Sequence, residues 1–222
     1  MIRAFSFGDH KEKSKLIGQL LAYSVVPALP KSALVKKRFD ALQAFMEDNK
    51  SYLAMSGMIP FAKKTQAMAD KVQRFMRLQL HKTDGNAVSL TADAIKFWMQ
   101  EAPQSAEAER LVQLMIDMVV AGRKEGLAGM LCAIKGLIEV GKINAKEEAE
   151  LAESLPIIYA NADYAKLDHQ TLEAVNAPLV RAECVRLARV LLGRLEQGKE
   201  TKLLKAMLEQ AKSDSLPEVR MV

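Results

Sequence analysis

Aromatic residues are scarce in this sequence, at 5% of its 222 residues. Residues with β-branched side chains rarely follow one another, and sheets depend on both kinds of residue. The abundant Ala, Leu, Met, Lys, Glu and Gln favour helices instead. We therefore predict an all-α protein, a globular multi-helix bundle of about eight or nine helices with short connections.

Cysteine is also rare, and both occurrences, Cys132 and Cys184, lie within apolar helical patterns. That setting favours buried thiols over a disulfide or metal ligands, and it predicts a reducing, cytoplasmic environment. The apolar runs are too short and too often interrupted by charge to span a bilayer, and the first ten residues contain no long apolar run. We expect neither secretion nor membrane insertion.

The sequence lacks the motifs of the common catalytic and cofactor sites. It has no phosphate-binding glycine loop, no Gly-x-Ser-x-Gly turn and no His-Glu-x-x-His pair. Acidic pairs such as Glu107/Glu109 and Glu147/Glu148 stand where a helix dipole alone explains them. We predict a protein that is not an enzyme and that has no cofactor and no metal site. Its three histidines are His10, His81 and His169.

Apolar residues recur at helical spacing in successive segments separated by Gly, Pro and Asn turns. The segments predicted as helical are 16–21, 31–55, 60–80, 95–99, 106–120, 127–138, 144–155, 168–178, 179–195 and 203–211, with 178 as a restart or kink. We expect 127–155 to form a central hairpin and the tail from Ser213 to be loosely held. The expected N-caps are Ser89 or Thr91, Ser105, Asn144 and Asp168, and Pro156 is expected to end a helix.

Charge changes sign along the chain. Residues 1–85 hold 15 Lys and Arg against 7 Asp and Glu, residues 86–175 hold 8 against 14, and residues 176–222 hold 9 against 6. We therefore predict a basic helical unit over 1–85 and a second helical unit over 86–222, or one continuous domain. The polarity either steers an anionic partner or lets basic and acidic segments pack together.

Basic residues recur at helical spacing, so they form candidate sites for nucleic acid or another anion. The alternatives are a solvated helix face and, for the arginines at 181, 186, 189 and 194, pairing with acidic residues 147–153. His81 extends the second basic helix. The candidate residues are Lys36, Lys37, Arg38, Lys63, Lys71, Arg74, Arg77, Arg186 and Arg189.

Residues 126–153 contain an apolar helix, a turn with Gly141 and Ile143, and a helix start with Asn144, Glu147 and Glu148. This stretch resembles the helix-turn-helix signature of the tellurite-resistance TerB-like family. The resemblance implies a helical bundle around this hairpin and, by analogy, a stress-related or membrane-associated scaffold. Val140 departs from the pattern, because many members carry an acidic residue there, and its apolar side chain removes a candidate metal ligand.

Two functions fit these patterns. The first is a non-catalytic helical scaffold or interaction subunit of an intracellular assembly, with a protein partner or a second copy held on apolar helix faces. The alternative is a nucleic-acid-associated protein that contacts phosphates through the basic helices of 31–82. Methionine, at 12 residues, serves either as adaptable core filler or as a plastic binding groove.

Overall fold

The computed structural model describes residues 31–49, 52–163, 166–168 and 170–222. These residues form ten α-helices, one 3-10 helix and no strand, which confirms the all-α prediction. Eight of the ten are 13 residues or longer, in line with the predicted eight or nine. The predicted helix at 16–21 lies outside the described residues. The α-helices are α1 Lys31–Asn49, α2 Ile59–Ala62, α3 Gln66–Leu80, α4 Gly85–Glu101, α5 Ala106–Val120, α6 Leu127–Glu139, α7 Ala145–Asn161, α8 Leu172–Leu192, α9 Lys199–Lys212 and α10 Pro217–Arg220.

The chain divides into two compact units between Leu111 and Val112, within α5. The boundary predicted after residue 85 falls inside the first unit, at the start of α4. There α4 packs against α3 and against the 3-10 helix Tyr52–Met58, so these elements share one core.

The first unit is organised around the 3-10 helix, which contacts α1, α2 and α4. The helix predicted over 31–55 is shorter than expected, because α1 ends at Asn49 and the chain tightens into this 3-10 helix. Ser56 and Gly57 are poor formers of an α-helix interior, and the tighter turn buries both. Phe39 and Phe61 meet edge to face, with 5.9 Å between ring centroids.

Two helix starts differ from the prediction. The helix expected over 60–80 is two helices, because Thr65 caps α3 by accepting from the Met68 amide at 3.2 Å. The cap of α4 is Asp84, whose carboxylate accepts from two backbone amides of the first turn. Thr91, one of the two caps predicted, lies inside α4 and donates its hydroxyl to the Ala87 carbonyl at 2.6 Å.

The second unit is built around α8, which packs against α6, α7, α9 and α10. The helices of the predicted hairpin 127–155 both form, and Asn144 and Glu147 complete the expected capping box of α7. The two helices do not pack mainly on each other as the hairpin prediction expected, because α6 packs mainly against α8 and α7 packs against both α8 and α9. The predicted buried helix 127–138 is confirmed by the apolar residues that α6 buries: Leu127, Met130, Leu131, Ala133, Ile134, Leu137 and Ile138.

Neither Pro156 nor Pro178 ends a helix. The helix predicted to stop before Pro156 continues as α7 to Asn161. Pro156 removes one backbone donor, and burial of Ile158 and Tyr159 in the next turn offsets that loss. Similarly α8 runs through Pro178 from a cap at Thr171, while the carboxylate of the predicted cap Asp168 accepts from the Gln170 amide, before the helix begins.

The tail from Ser213 was predicted to be loosely held, and this was wrong. Asp214 is only 6% exposed and pairs with Arg181 at 3.0 Å, while α10 follows and buries Val219. Asp214 anchors the tail through its charge, and a single charged residue leaves no apolar periodicity in the sequence that would predict this contact.

Methionine acts as core filler in the described residues. The methionines that the sequence places on apolar helix faces are all buried, so they offer no exposed groove. They are Met46, Met55, Met58, Met68, Met76, Met115, Met118 and Met130.

Candidate interaction surfaces

The basic residues of α1 do not form a positive stripe. Lys36 and Lys37 are exposed, but at helical spacing they share their face with acidic residues, and Arg38 is turned partly inward. The net charge of this face is therefore close to neutral. The acidic residues are Asp40, Glu47 and Asp48.

The basic residues of α3 lie together on the side opposite the core. Met68, Val72 and Phe75 belong to the buried stripe, and the outer stripe carries cations at positions three to four residues apart. Lys63, predicted to extend this line, instead follows α2 and pairs with Glu101 at 2.7 Å. We define the α3 outer face as Lys71, Arg74, Arg77, Leu78 and His81.

An exposed leucine lies within the α3 outer face. Leu78 is 65% exposed and stands one helical turn after Arg74 and next to Arg77. Neither arginine forms an ion pair with a described residue; Arg74 Nε only donates to the Asp70 carbonyl at 3.4 Å. Sequence reasoning identified the cations but missed Leu78, although its position off the buried stripe is readable from the helical period.

An open cavity of about 590 Å³ lies in the first unit, where the N-termini of α3 and α5 meet. Glu107, in the first turn of α5, accepts from Gln66 Nε2 at 2.7 Å and from the Ser105 hydroxyl at 3.3 Å. Burial raises the pKa of Glu107, but these hydrogen bonds and the charge of Arg110 bring it below its ordinary value. The carboxylate of Glu107 therefore occupies the position where the N-termini of α3 and α5 make the electrostatic potential positive.

The arginines predicted to share a face in the C-terminal segment are separated by the structure. Arg181 is buried, Arg186 pairs with Glu183, and Arg194 pairs with Glu148 at 2.7 Å. The Arg194–Glu148 pair confirms the predicted alternative, pairing with acidic residues of 147–153, for Arg194 alone. Arg189 alone stays exposed without an ion pair to a described residue, and it borders a cavity discussed below.

The turn between α6 and α7 is held by backbone hydrogen bonds and helix caps. Gly141 adopts φ +70°, and the amides of Gly141 and Lys142 donate to the carbonyls of Ile138 and Leu137, closing the C-terminus of α6. Glu147 accepts from the Asn144 amide at 2.8 Å, and Glu148 holds Arg194. No group of three or more candidate metal-ligand side chains occurs among the residues that the structure describes.

The two cysteines differ in their surroundings. Cys184 is buried as predicted, and burial raises the pKa of its thiol. Cys132 was predicted to be buried and is exposed. It shares a helix face with Lys135 and Glu139, three and seven residues further along. These charged neighbours indicate that this face of α6 is exposed to solvent.

Comparison with protein-family models, with curated proteins and with solved structures finds no match to this chain. In the part of the chain that the structure describes, no helix is long and apolar enough to cross a membrane.

Proposed function

We propose that this protein is a non-catalytic helical scaffold or interaction subunit of a cytoplasmic assembly, and that it binds an acidic protein segment on the α3 outer face. The observation that carries the proposal is Leu78, 65% exposed beside Arg74 and Arg77. This face combines an apolar contact with an excess of positive charge, because Lys71, Arg74 and Arg77 outnumber Asp70, the acidic residue one turn before Arg74.

The chemistry of the face favours a protein partner. An acidic amphipathic helix presents carboxylates on either side of an apolar stripe, so it complements both components of the face. Burial of Leu78 stabilises the complex by about 25 cal/mol for each Å² removed from water, while the arginines orient the partner. A phosphate backbone satisfies Arg74 and Arg77 but offers Leu78 no apolar contact.

Nucleic-acid binding is the second candidate. It is favoured by the three cations Lys71, Arg74 and Arg77, none of which forms an ion pair with a described residue. Phosphate contacts by these cations would release counterions, so affinity would fall steeply with salt. The resemblance of residues 126–153 to TerB-like proteins adds to the scaffold proposal by analogy alone.

Fluorescence anisotropy tests the proposal with a synthetic acidic amphipathic helix and, in parallel, single- and double-stranded DNA and RNA at about 50 and 200 mM salt. We expect the double charge reversal Arg74→Glu with Arg77→Glu to weaken peptide binding by about tenfold or more. The matched control is Lys36→Glu with Lys37→Glu, which reverses two exposed charges on α1. Equal losses in both variants would contradict a site on α3.

Light scattering separates a second copy from a different partner. A concentration-dependent oligomer that the Arg74/Arg77 reversal dissociates identifies the chain itself as the partner. A strict monomer that binds neither the acidic helix nor any co-purifying protein would contradict the scaffold proposal.

A further inference from the structure

Four cationic side chains of the second unit border one cavity of about 260 Å³. They come from three helices: Arg189 from α8, Lys205 and Lys212 from α9, and Arg220 from α10. Of these four, only Arg189 was predicted from the sequence as a candidate site residue; Lys205 lies in the predicted helix 203–211, and Arg220 lies in the tail from Ser213 that was expected to be loose. The apolar lining consists of Val185, Leu208, Ala211 and Val219.

The charges at this cavity are not balanced within the described residues. Glu209 is the only acidic residue of the lining, and it already pairs with Lys212 at 2.6 Å. Arg189 and Lys205 are exposed and form no ion pair with any residue the structure describes. Arg220 donates to the Asp214 carbonyl, which leaves its charge uncompensated.

Helix dipoles explain the positions of only some of these four cations. Arg189 and Lys212 stand in the last turns of α8 and α9, where a cation is favourable for the helix itself. Lys205 lies in the middle of α9 and gains nothing from the helix end. It lines the same cavity as Arg189 and Arg220.

We propose that this cavity binds a small phosphate-bearing anion, with the phosphate held by Arg189 and Lys205 and an apolar portion against Leu208, the apolar lining residue that is partly exposed. The guanidinium fork suits two phosphate oxygens, and lysine adds a mobile point charge. Ligand cavities usually measure roughly 300–1,000 Å³, so the volume of this one restricts the ligand to a small molecule.

Calorimetric titration of the full chain with phenyl phosphate and with inorganic phosphate, at about 50 mM salt, tests the site. We expect one saturable site that prefers phenyl phosphate, since its ring covers apolar lining. Arg189→Gln and Lys205→Gln should each weaken binding about tenfold. Lys202→Gln is the matched control, because Lys202 is exposed on α9 one turn earlier and lies outside the cavity.

Two results would overturn the proposal: no saturable binding of either phosphate, or an equal loss in Lys202→Gln. Vesicles containing phosphatidic acid identify the source of the phosphate. Co-sedimentation that Arg189→Gln abolishes and Lys202→Gln retains supports a lipid head group, whereas binding of phenyl phosphate without vesicle binding supports a free anion. Because the Arg74/Arg77 reversal leaves this cavity intact, failure here and failure of the α3 proposal are distinguishable.

Discussion

Tyr159 donates its phenolic hydrogen to Asp214, a carboxylate 55 positions further along the chain. Arg181 pairs with the same carboxylate oxygen at 3.0 Å and lies 4.3 Å from the centroid of the Tyr159 ring. Its Nε also donates to the Tyr159 carbonyl at 3.2 Å. Burial and the hydrogen bond to Asp214 raise the pKa of Tyr159, so the phenol stays protonated. These three residues fasten the C-terminal segment to α7 and α8.

Asp214→Asn should be strongly destabilising. It removes the nearer carboxylate from Arg181, which is only 5% exposed, and leaves the longer pair with Asp163 at 3.9 Å. Breaking a buried ion pair costs about 3–5 kcal/mol. Tyr159→Phe should cost about 1 kcal/mol, since it removes one hydrogen bond. Urea unfolding measures both, with the exposed Asp40→Asn as control. A loss in Asp214→Asn as small as that in Asp40→Asn would show that the anchor does not stabilise the fold.

Glu107 should make stability depend on pH. Its pKa in the folded state lies below the ordinary 4.5, so the unfolded chain binds the proton more readily. The stabilisation is therefore complete above that value and is lost as pH falls through the folded pKa. Between about pH 5 and pH 3 the free energy of unfolding should fall less in Glu107→Gln than in the wild type. Glu109→Gln, exposed in the same helical turn, should keep the wild-type slope.

Gly141→Ala should destabilise the second unit by about 1 kcal/mol, because φ +70° is strained for a residue with a Cβ. Nothing lies within 4 Å of that Cβ, so the cost is one of backbone conformation alone. Gly193→Ala is the control: its φ is −78°, and its Cβ would meet the Val190 carbonyl oxygen at an ordinary 3.5 Å. Thermal unfolding compares the two, and equal destabilisation would contradict the conformational explanation.

The thiols should react in two separate phases. Cys132 is exposed and should react with a thiol reagent in the native protein, whereas Cys184 should react only on unfolding, because burial shields it and raises its pKa. Cys132→Ser should remove the fast phase. If Cys132→Ser instead removes the slow phase, the assignment of the fast phase to Cys132 and the slow phase to Cys184 is wrong.

Local signals in the sequence predicted much of the fold. Ser105 and the Asn144–Glu147 capping box begin α5 and α7 as expected, because each cap involves residues within three positions. Ser89 or Thr91 was predicted to cap α4, but Asp84 caps it and Thr91 is buried inside the helix. Competing local signals of this kind are resolved only by packing.

Long-range pairing limited prediction of the candidate sites. The Arg194–Glu148 pair and the convergence of Lys205 and Arg220 on Arg189 join separate helices, and no spacing in the sequence encodes them. The cations of the α3 outer face could be predicted, because they recur at the helical period. The near-neutral charge of the α1 face could also have been predicted, because Asp40 follows Lys36 by one turn. The prediction considered only the positive charges.

The affinity of Leu78→Ala for the acidic helix and for DNA tests the central claim most directly. Since Leu78 is exposed, the variant should keep the stability of the wild type. If an acidic protein segment covers the α3 outer face, peptide binding should weaken about tenfold through lost apolar burial while binding to DNA stays unchanged. Unchanged peptide binding in Leu78→Ala, together with DNA binding abolished by the Arg74/Arg77 reversal, would contradict the scaffold proposal and favour nucleic acid.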